Sequence, residues 1–374
     1  MHHSVDINFF QWALGSDKKV PAASKVEQDR LREAIKNKEE ERNEGECCSE
    51  PDIFSAASHV LPGYKIFSQE LAQESVWDSH CHLDFLARRL NRENVEGGES
   101  LQKSLQSDGQ KLGEKFGGCI ANFCDPRDWA QGHGSQEVSK ILTSCKEQSG
   151  VFLTLGCHPH FADKMDGFCI QQLLRLARKM KGRVVAIGEC GLDKSGKNRV
   201  PMETQKKYFE AQIDIARELN LPLVLHIRDA EDEAMELLKK KKVPANFRIH
   251  YHCFTGTWKA AEDWLSAYPA SKIGLTGLVT FDHARSVHEV ALRIPLEKLL
   301  LETDAPYFLP SGVSKASYKH TFSMPGHVVH VAAQVNNLSR KGLVALMSCT
   351  NKLLVSVDKD SIEHILDTHL LQHF

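Results

Sequence analysis

The sequence predicts an α/β fold, an eight-stranded (β/α)8 TIM barrel, carrying a charged N-terminal extension. Three observations lead there. Eight short β-rich runs follow one another from Val76 onward, amphipathic helical patterns separate several of them, and imidazoles or carboxylates stand at the ends of five. Strands alternating with helices imply right-handed βαβ units and a parallel sheet, and eight such units are the number that closes a barrel. An open doubly wound sheet would carry a glycine-rich phosphate loop after its first strand. Neither G-x-G-x-x-G nor G-x-x-x-x-G-K-[ST] occurs.

Taken in order, the expected strands are Val76 to Asp78, Cys119 to Phe123, Val151 to Gly156, Val184 to Gly188, Leu223 to His226, Arg248 to His252, Lys272 to Thr276 and Leu299 to Leu301. Apolar stripes at i, i+3/i+4, i+7 place helices over Ile170, Leu173, Leu174 and Ala177 and over Phe209, Ile213 and Ala216. Asp229 is the expected cap of a helix with Asp232 in its first turn, and Val328, Val331, Ala332 and Val335 mark a late helix. Before the barrel, residues 1–72 form the extension, and 73–374 the barrel domain. Residues 25–50 hold fifteen charged side chains and only Val26, Leu31, Ala34 and Ile35 to bury, the composition of a disordered segment or a solvated helix. Asn91 to Gly118, rich in glycine, serine and Asp108-Gly109, reads as a surface insertion.

Composition narrows the function classes. Among 374 residues, 47 basic and 49 acidic side chains nearly cancel, so a nucleic-acid partner must meet a local basic patch and not a global charge. No apolar run reaches the roughly 18 residues that span a bilayer, and Met1 to Asp17 lacks a basic stretch followed by an apolar core. Eleven scattered cysteines, with no C-x-x-C pair, indicate neither a disulfide framework nor a zinc ribbon. The expectation is an intracellular protein of cytosol or nucleus with no membrane partner.

Chemistry in such a barrel sits at the carboxyl ends of the strands. There stand Asp78-Ser79-His80-Cys81-His82, Gly188-Glu189, His226, His250-Tyr251-His252 and Glu302-Thr303-Asp304. His80 and His82 are two apart, so on an extended chain both rings share one face and Cys81 takes the other. Burying so many titratable groups without metal would be costly. The imidazole and carboxylate set suits Mg²⁺, Mn²⁺ or Zn²⁺ at a hydrolytic site. Six ligands exceed what one catalytic ion can use, but they suit two ions sharing a carboxylate, with Glu189 as the bridge. Cys81, Cys190 and Cys253 are expected to face the outer helix layer as inert fillers.

At these residues the sequence resembles the TatD family of metal-dependent deoxyribonucleases, within the amidohydrolase-type metal barrels, and its longer animal members in particular. The resemblance rests on six ordered motifs: Asp78 to Asp84, Gly156-Cys157-His158-Pro159-His160, Ile187 to Asp193, Leu221 to Ala230, His252-Cys253-Phe254-Thr255-Gly256 and Leu301 to Tyr307. It implies one metal held by His80, His82, Glu189 and Asp304, a second held by Glu189, His226 and His252, and hydrolysis of DNA phosphodiesters, often from an end. Three features depart from the family pattern. Tyr318 to Gly326 replaces an Arg-Asn-x-Pro-like stretch, Lys194-Ser195 replaces an aromatic after Gly-Leu-Asp, and the extension and insertion have no counterpart.

The resulting expectation is a two-metal deoxyribonuclease, with Mg²⁺ first and Mn²⁺ or Zn²⁺ as alternatives, in which Asp304 takes the proton of the attacking water and Glu189 joins it in catalysis. RNA is a possible second substrate. Arg228 contacts a phosphate oxygen or pairs with an acid on the rim; His158 bonds substrate or packs its turn. Trp258, Phe254 and Tyr307 are candidates to stack a base or to fill core, and Lys239 to Lys242 is a DNA patch or a solvated helix end. Competing readings are an amide, ester or phosphotriester hydrolase on the same barrel and a catalytically idle binding protein whose charged arm docks a protein partner.

Overall fold

The computed structural model of the protein describes residues 76–92, 116–130, 150–311, 313 and 322–339; the extension over 1–72 lies outside them. The described residues form one eight-stranded sheet in sequential order: β1 (Val76–Cys81), β2 (Phe116–Phe123), β3 (Val151–Leu155), β4 (Val184–Asp193), β5 (Leu223–Arg228), β6 (Ile249–Tyr251), β7 (Lys272–Leu275) and β8 (Leu299–Leu301). Every neighbouring pair from β1 to β8 is parallel. The ring closes just beyond β8, where Cys81 bridges Ala305 and His82 N donates to Ala305 O at 2.7 Å. Asp78 ties the same seam: its carboxylate accepts from Thr303 N at 2.9 Å and Thr303 Oγ1 at 2.5 Å.

Eight α-helices are described: α1 (Leu83–Arg92), α2 (Pro126–Trp129), α3 (Gly167–Lys179), α4 (Met202–Glu218), α5 (Glu231–Lys240), α6 (Trp258–Ala267), α7 (Arg285–Arg293) and α8 (Val328–Ser339). Each follows the strand of its number. α3 starts where Asp166 accepts from Cys169 N at 2.8 Å, and it buries Cys169, Leu173 and Ala177 on one stripe. α4 does the same with Phe209, Ile213 and Ala216, and Thr257 caps α6 through Ala260 N. Strand positions are buried on both faces, as expected of a sheet lined by helices, and all ten residues of β4 are buried. Fully buried Leu153, Ile187 and Leu223 each contribute about 1.5–3 kcal/mol relative to exposure.

Three expectations about local structure change. Asp229 is not a cap: it takes φ 52°, Ala230 occupies the N-cap position without a side-chain bond, and Asp232 does lie in the first turn of α5. The chain must reverse out of β5 there, and Asp229 tolerates the left-handed conformation that the reversal needs. The expected insertion is shorter at both ends. α1 continues through Arg92 and β2 begins at Phe116; the remainder lies outside the described residues. β4 runs five residues past Gly188, with a register shift between Gly188 and Cys190. Gly188 (φ 140°) permits this kink, because a Cβ there would lie 2.3 Å from Val224 O. Lys239 to Lys242 is a solvated helix end, with Lys240 on Glu210 and Lys241 on Asp214 at 2.6 Å each. No described helix is long and apolar enough to cross a membrane.

Candidate metal centre

Six side chains foreseen as ligands converge at the carboxyl ends of the strands, and Glu189 stands in the middle. Its Oε2 lies 3.4 Å from Nε2 of both His80 and His82. Its Oε1 lies 2.9 Å from His226 Nδ1 and 3.2 Å from His252 Nε2. Asp304 Oδ1, at φ 54° just after β8, completes the first side at 3.2 Å from His82 and 3.7 Å from His80. All six residues are buried.

The imidazoles are oriented from outside. His82 Nδ1 faces Asn122 O at 3.2 Å, His226 Nε2 faces Asp193 Oδ2 at 3.4 Å, and His252 Nδ1 faces Glu302 Oε1 at 3.4 Å. The outer nitrogens of His82 and His226 thus meet hydrogen-bond acceptors, which orients those rings, whereas His80 Nδ1 and His252 Nδ1 are buried without a hydrogen-bond partner. Asp193 and Glu302 are themselves fixed. Asp193 also takes His160 Nε2 at 2.8 Å and Ser195 N at 2.7 Å, while Glu302 Oε1 accepts from Cys253 N at 2.5 Å and its Oε2 lies 2.7 Å from His250 Nε2.

Electrostatics follow from packing carboxylates among imidazoles. Burial works against the charged form of Glu189, but the neighbouring His252 and His158 charges and bonds from His226 and His252 hold its carboxyl well below the usual range. Burial also opposes charge on His82, yet Asp304 and Glu189 lift it to about 9. Against the same burial, Asp193 and Glu189 raise His226, and Glu189, Glu302 and Asp304 raise His252. His80 goes the other way, to about 4, through burial and the adjacent His252.

The chemistry of this donor set fits divalent cations. Glu189 Oε2 and Asp304 Oδ1 are buried oxygens without a hydrogen-bond partner, both aimed at the His80 and His82 nitrogens. Nitrogen and carboxylate atoms of His80, His82 and Glu189, and of His158, Glu189 and His226, lie within 4.8 Å of one another. Nitrogen and oxygen donors gathered this closely could share a cation in place of the protons that otherwise lie between them.

His158 packs its turn and also faces the centre. Its Nδ1 accepts from His160 N at 3.1 Å, and its Nε2 turns to Glu189 Oε1 at 3.6 Å. Arg228 gives its Nη1 to Thr255 Oγ1 across the β5 and β6 ends. Phe254 is core, buried edge-to-face against Tyr251, whereas Tyr307 stands 6.2 Å from the His82 ring. Cys81 and Cys190 are fillers bonded to Ile120 O and Val224 O. Cys253 departs from its expected place: at φ 45° its sulfur groups with His252 and Asp304, and burial pushes that thiol up to about 12. Asp193 and Glu302, both within the sequence motifs, stand behind His226 and His252 as supporting carboxylates. Asp193 lies four residues after Glu189, and Glu302 two residues before Asp304.

Comparison with known proteins gives one family. The family model described as TatD related DNase matches residues 77–356. The human 3′-5′ RNA nuclease TATDN2 is 35% identical over 308 residues, covering 79% of this chain and 37% of its own length, so the chain spans little more than a third of that relative. The 3′-5′ ssDNA/RNA exonuclease TatD of Shigella flexneri is 36% identical over 206 residues, 54% of this chain and 74% of that protein. Among solved structures, YjjV, a TatD homologue from Escherichia coli K12, superposes with a TM-score of 0.61 at 25% identity, covering 75% of this chain and 97% of that one.

Proposed function

The chain belongs to the TatD-related DNase family, and from that premise we propose that it is a divalent-metal-dependent nuclease, hydrolysing phosphodiester bonds of single-stranded nucleic acid inward from the 3′ end. One observation carries the mechanism. The two oxygens of Glu189 serve different sets of imidazoles, Oε2 the His80 and His82 pair and Oε1 the His226 and His252 pair. A carboxylate divided in this way supports two ions with Glu189 between them. His80, His82, Glu189 and Asp304 would hold the first; Glu189, His226 and His252 would hold the second.

Ions bound there would supply Lewis-acid polarisation of the phosphate and lower the pKa of water; Mg²⁺ is our first choice, and the nitrogen-rich set also admits Mn²⁺ or Zn²⁺. The protein's own part is positioning and proton movement. Asp304 would accept the water's proton, a contribution of typically 10²–10⁴ in rate. His158 would meet a phosphate oxygen on the Glu189 side. Arg228, engaged with Thr255, would keep that rim in place and contact substrate secondarily.

The substrate class is supported by the relatives' own activities, on RNA for the human protein and on single-stranded DNA and RNA for the bacterial one. Residues 73–374 would form the hydrolase domain, with 1–72 outside the chemistry as an arm for a partner. The described cysteines are all buried and free, which suits a reducing compartment, cytosol or nucleus. The test is purified chain, stripped by chelator and resupplied with Mg²⁺, Mn²⁺ or Zn²⁺, given single- and double-stranded DNA, RNA and a neutral phosphotriester. Release of nucleotides that chelator abolishes is expected. Turnover of the triester alone would overturn the nuclease reading.

A further inference from the structure

α1 begins directly after His82 and carries Phe85, Arg88 and Arg89 along the edge of the metal centre. The His82 ring stacks on Phe85, with centroids 4.9 Å apart and planes 20° apart. Tyr307, in the turn after β8, stands edge-on to both, 6.2 Å from His82 and 6.5 Å from Phe85. An imidazole proposed to hold metal is therefore continuous with an aromatic shelf, and Phe85 and Tyr307 are only half-buried.

Two arginines border this shelf, and they differ. Arg88 lies over the Phe85 ring, 5.3 Å from its centroid, but it also pairs with Asp128 and lies 3.7 Å from Asp84, so its charge is neutralised within the protein. Arg89 is exposed, has no carboxylate partner among the described residues, and places its guanidinium 5.2 Å from the Tyr307 ring centroid. Aromatic faces with an uncommitted guanidinium recognise an unpaired nucleobase irrespective of its identity, by stacking and cation–π attraction. Here they adjoin the place where a phosphate would be held.

We propose that Tyr307 and Arg89, with Phe85 packed between His82 and Arg88 as their support, form a subsite for the unpaired base next to the scissile phosphate. The inference rests on the nuclease reading and deepens it, since this subsite would make the substrate single-stranded. A paired base has its faces covered by its neighbours and must first be extracted from the stack. Arg89, on a long exposed stem, yields the Tyr307 face as the base enters.

The experiment uses the full chain. A single-stranded oligonucleotide ending in 2-aminopurine at its 3′ terminus reports stacking by loss of fluorescence, in chelator so that nothing is cleaved. Wild type and Tyr307→Phe should quench the probe, while Arg89→Ala and Tyr307→Leu should lose most of that quenching. With metal restored, these two variants should raise KM for a natural 3′ end about tenfold. On an oligonucleotide ending in an abasic residue, wild type should fall to their level and the difference should vanish. Equal losses on natural and abasic ends, or unaltered quenching in Arg89→Ala, would overturn the subsite. Should Tyr307→Leu fail to fold, Arg89→Ala at its exposed position decides alone. If wild type cleaves no phosphodiester with any ion, the nuclease reading falls, and the quenching experiment still judges the subsite separately.

Discussion

Asp193 Oδ2 lies 3.4 Å from Nε2 of His226, on the opposite side of the ring from the Nδ1 that meets Glu189 at 2.9 Å. A carboxylate on one ring nitrogen fixes which tautomer the ring adopts and raises the basicity of the other. His226 reaches Glu189 because a strand residue four positions further along β4 holds it from behind.

Asp193→Asn should therefore weaken metal binding although Asp193 is not among the proposed ligands. The expected loss is roughly 10- to 100-fold in affinity for the more weakly held ion. Titration calorimetry with Mn²⁺ reads this directly. Unchanged affinity would remove Asp193 from the orienting role.

Glu189→Gln and His252→Ala distinguish a shared ligand from an unshared one. A neutral amide cannot balance two cations, so Glu189→Gln should lose more than one ion per chain and reduce nuclease rate on the order of 10² or more. His252→Ala should retain about one ion. Metal content per chain, by elemental analysis after gel filtration, separates these outcomes; retention of two ions by Glu189→Gln would place the bridge elsewhere.

Metal binding should release protons and tighten as pH rises. Without metal, His82 holds a proton up to about pH 9, and His226 and His252 are raised as well, whereas a ligand must present a lone pair. Apparent affinity should increase from pH 7 toward 9, with protons released into weak buffer at pH 7. A pH indicator during Mn²⁺ addition measures it, and an affinity flat over that range would contradict the assignment.

Acid should destabilise the fold partly through α8. Burial lowers His330 to about 4, so between pH 6.5 and 4 the unfolded chain binds a proton that the folded chain refuses. Stability is fully present above 6.5 and declines as pH falls through that window, by about 3 kcal/mol for this group. His330→Gln should flatten the decline in urea midpoint over pH 6.5 to 4; an unaltered slope would assign it to other groups, such as His80.

The barrel, and the residues that gather at its candidate centre, were legible in the amino-acid sequence. Hydrophobic runs of strand length, alternating with helical stripes, leave few topologies, and local periodicity places imidazoles and carboxylates near five strand ends, while the choice of His80, His82, Glu189, His226, His252 and Asp304 as the ligand set comes from the resemblance of the motifs around them. Tertiary structure decided what local periodicity cannot express. It set the bulge that extends β4 past Gly188, since the bulge arises from packing against Val224 of β5. It turned the Cys253 sulfur toward His252 and Asp304 through a left-handed residue, where alternation had placed it outward. It also brought Asp193 behind His226 and Glu302 behind His252, pairs 33 and 50 positions apart in sequence. Which side chain orients which depends on the stagger between neighbouring strands, and that stagger is fixed only when the ring of eight closes.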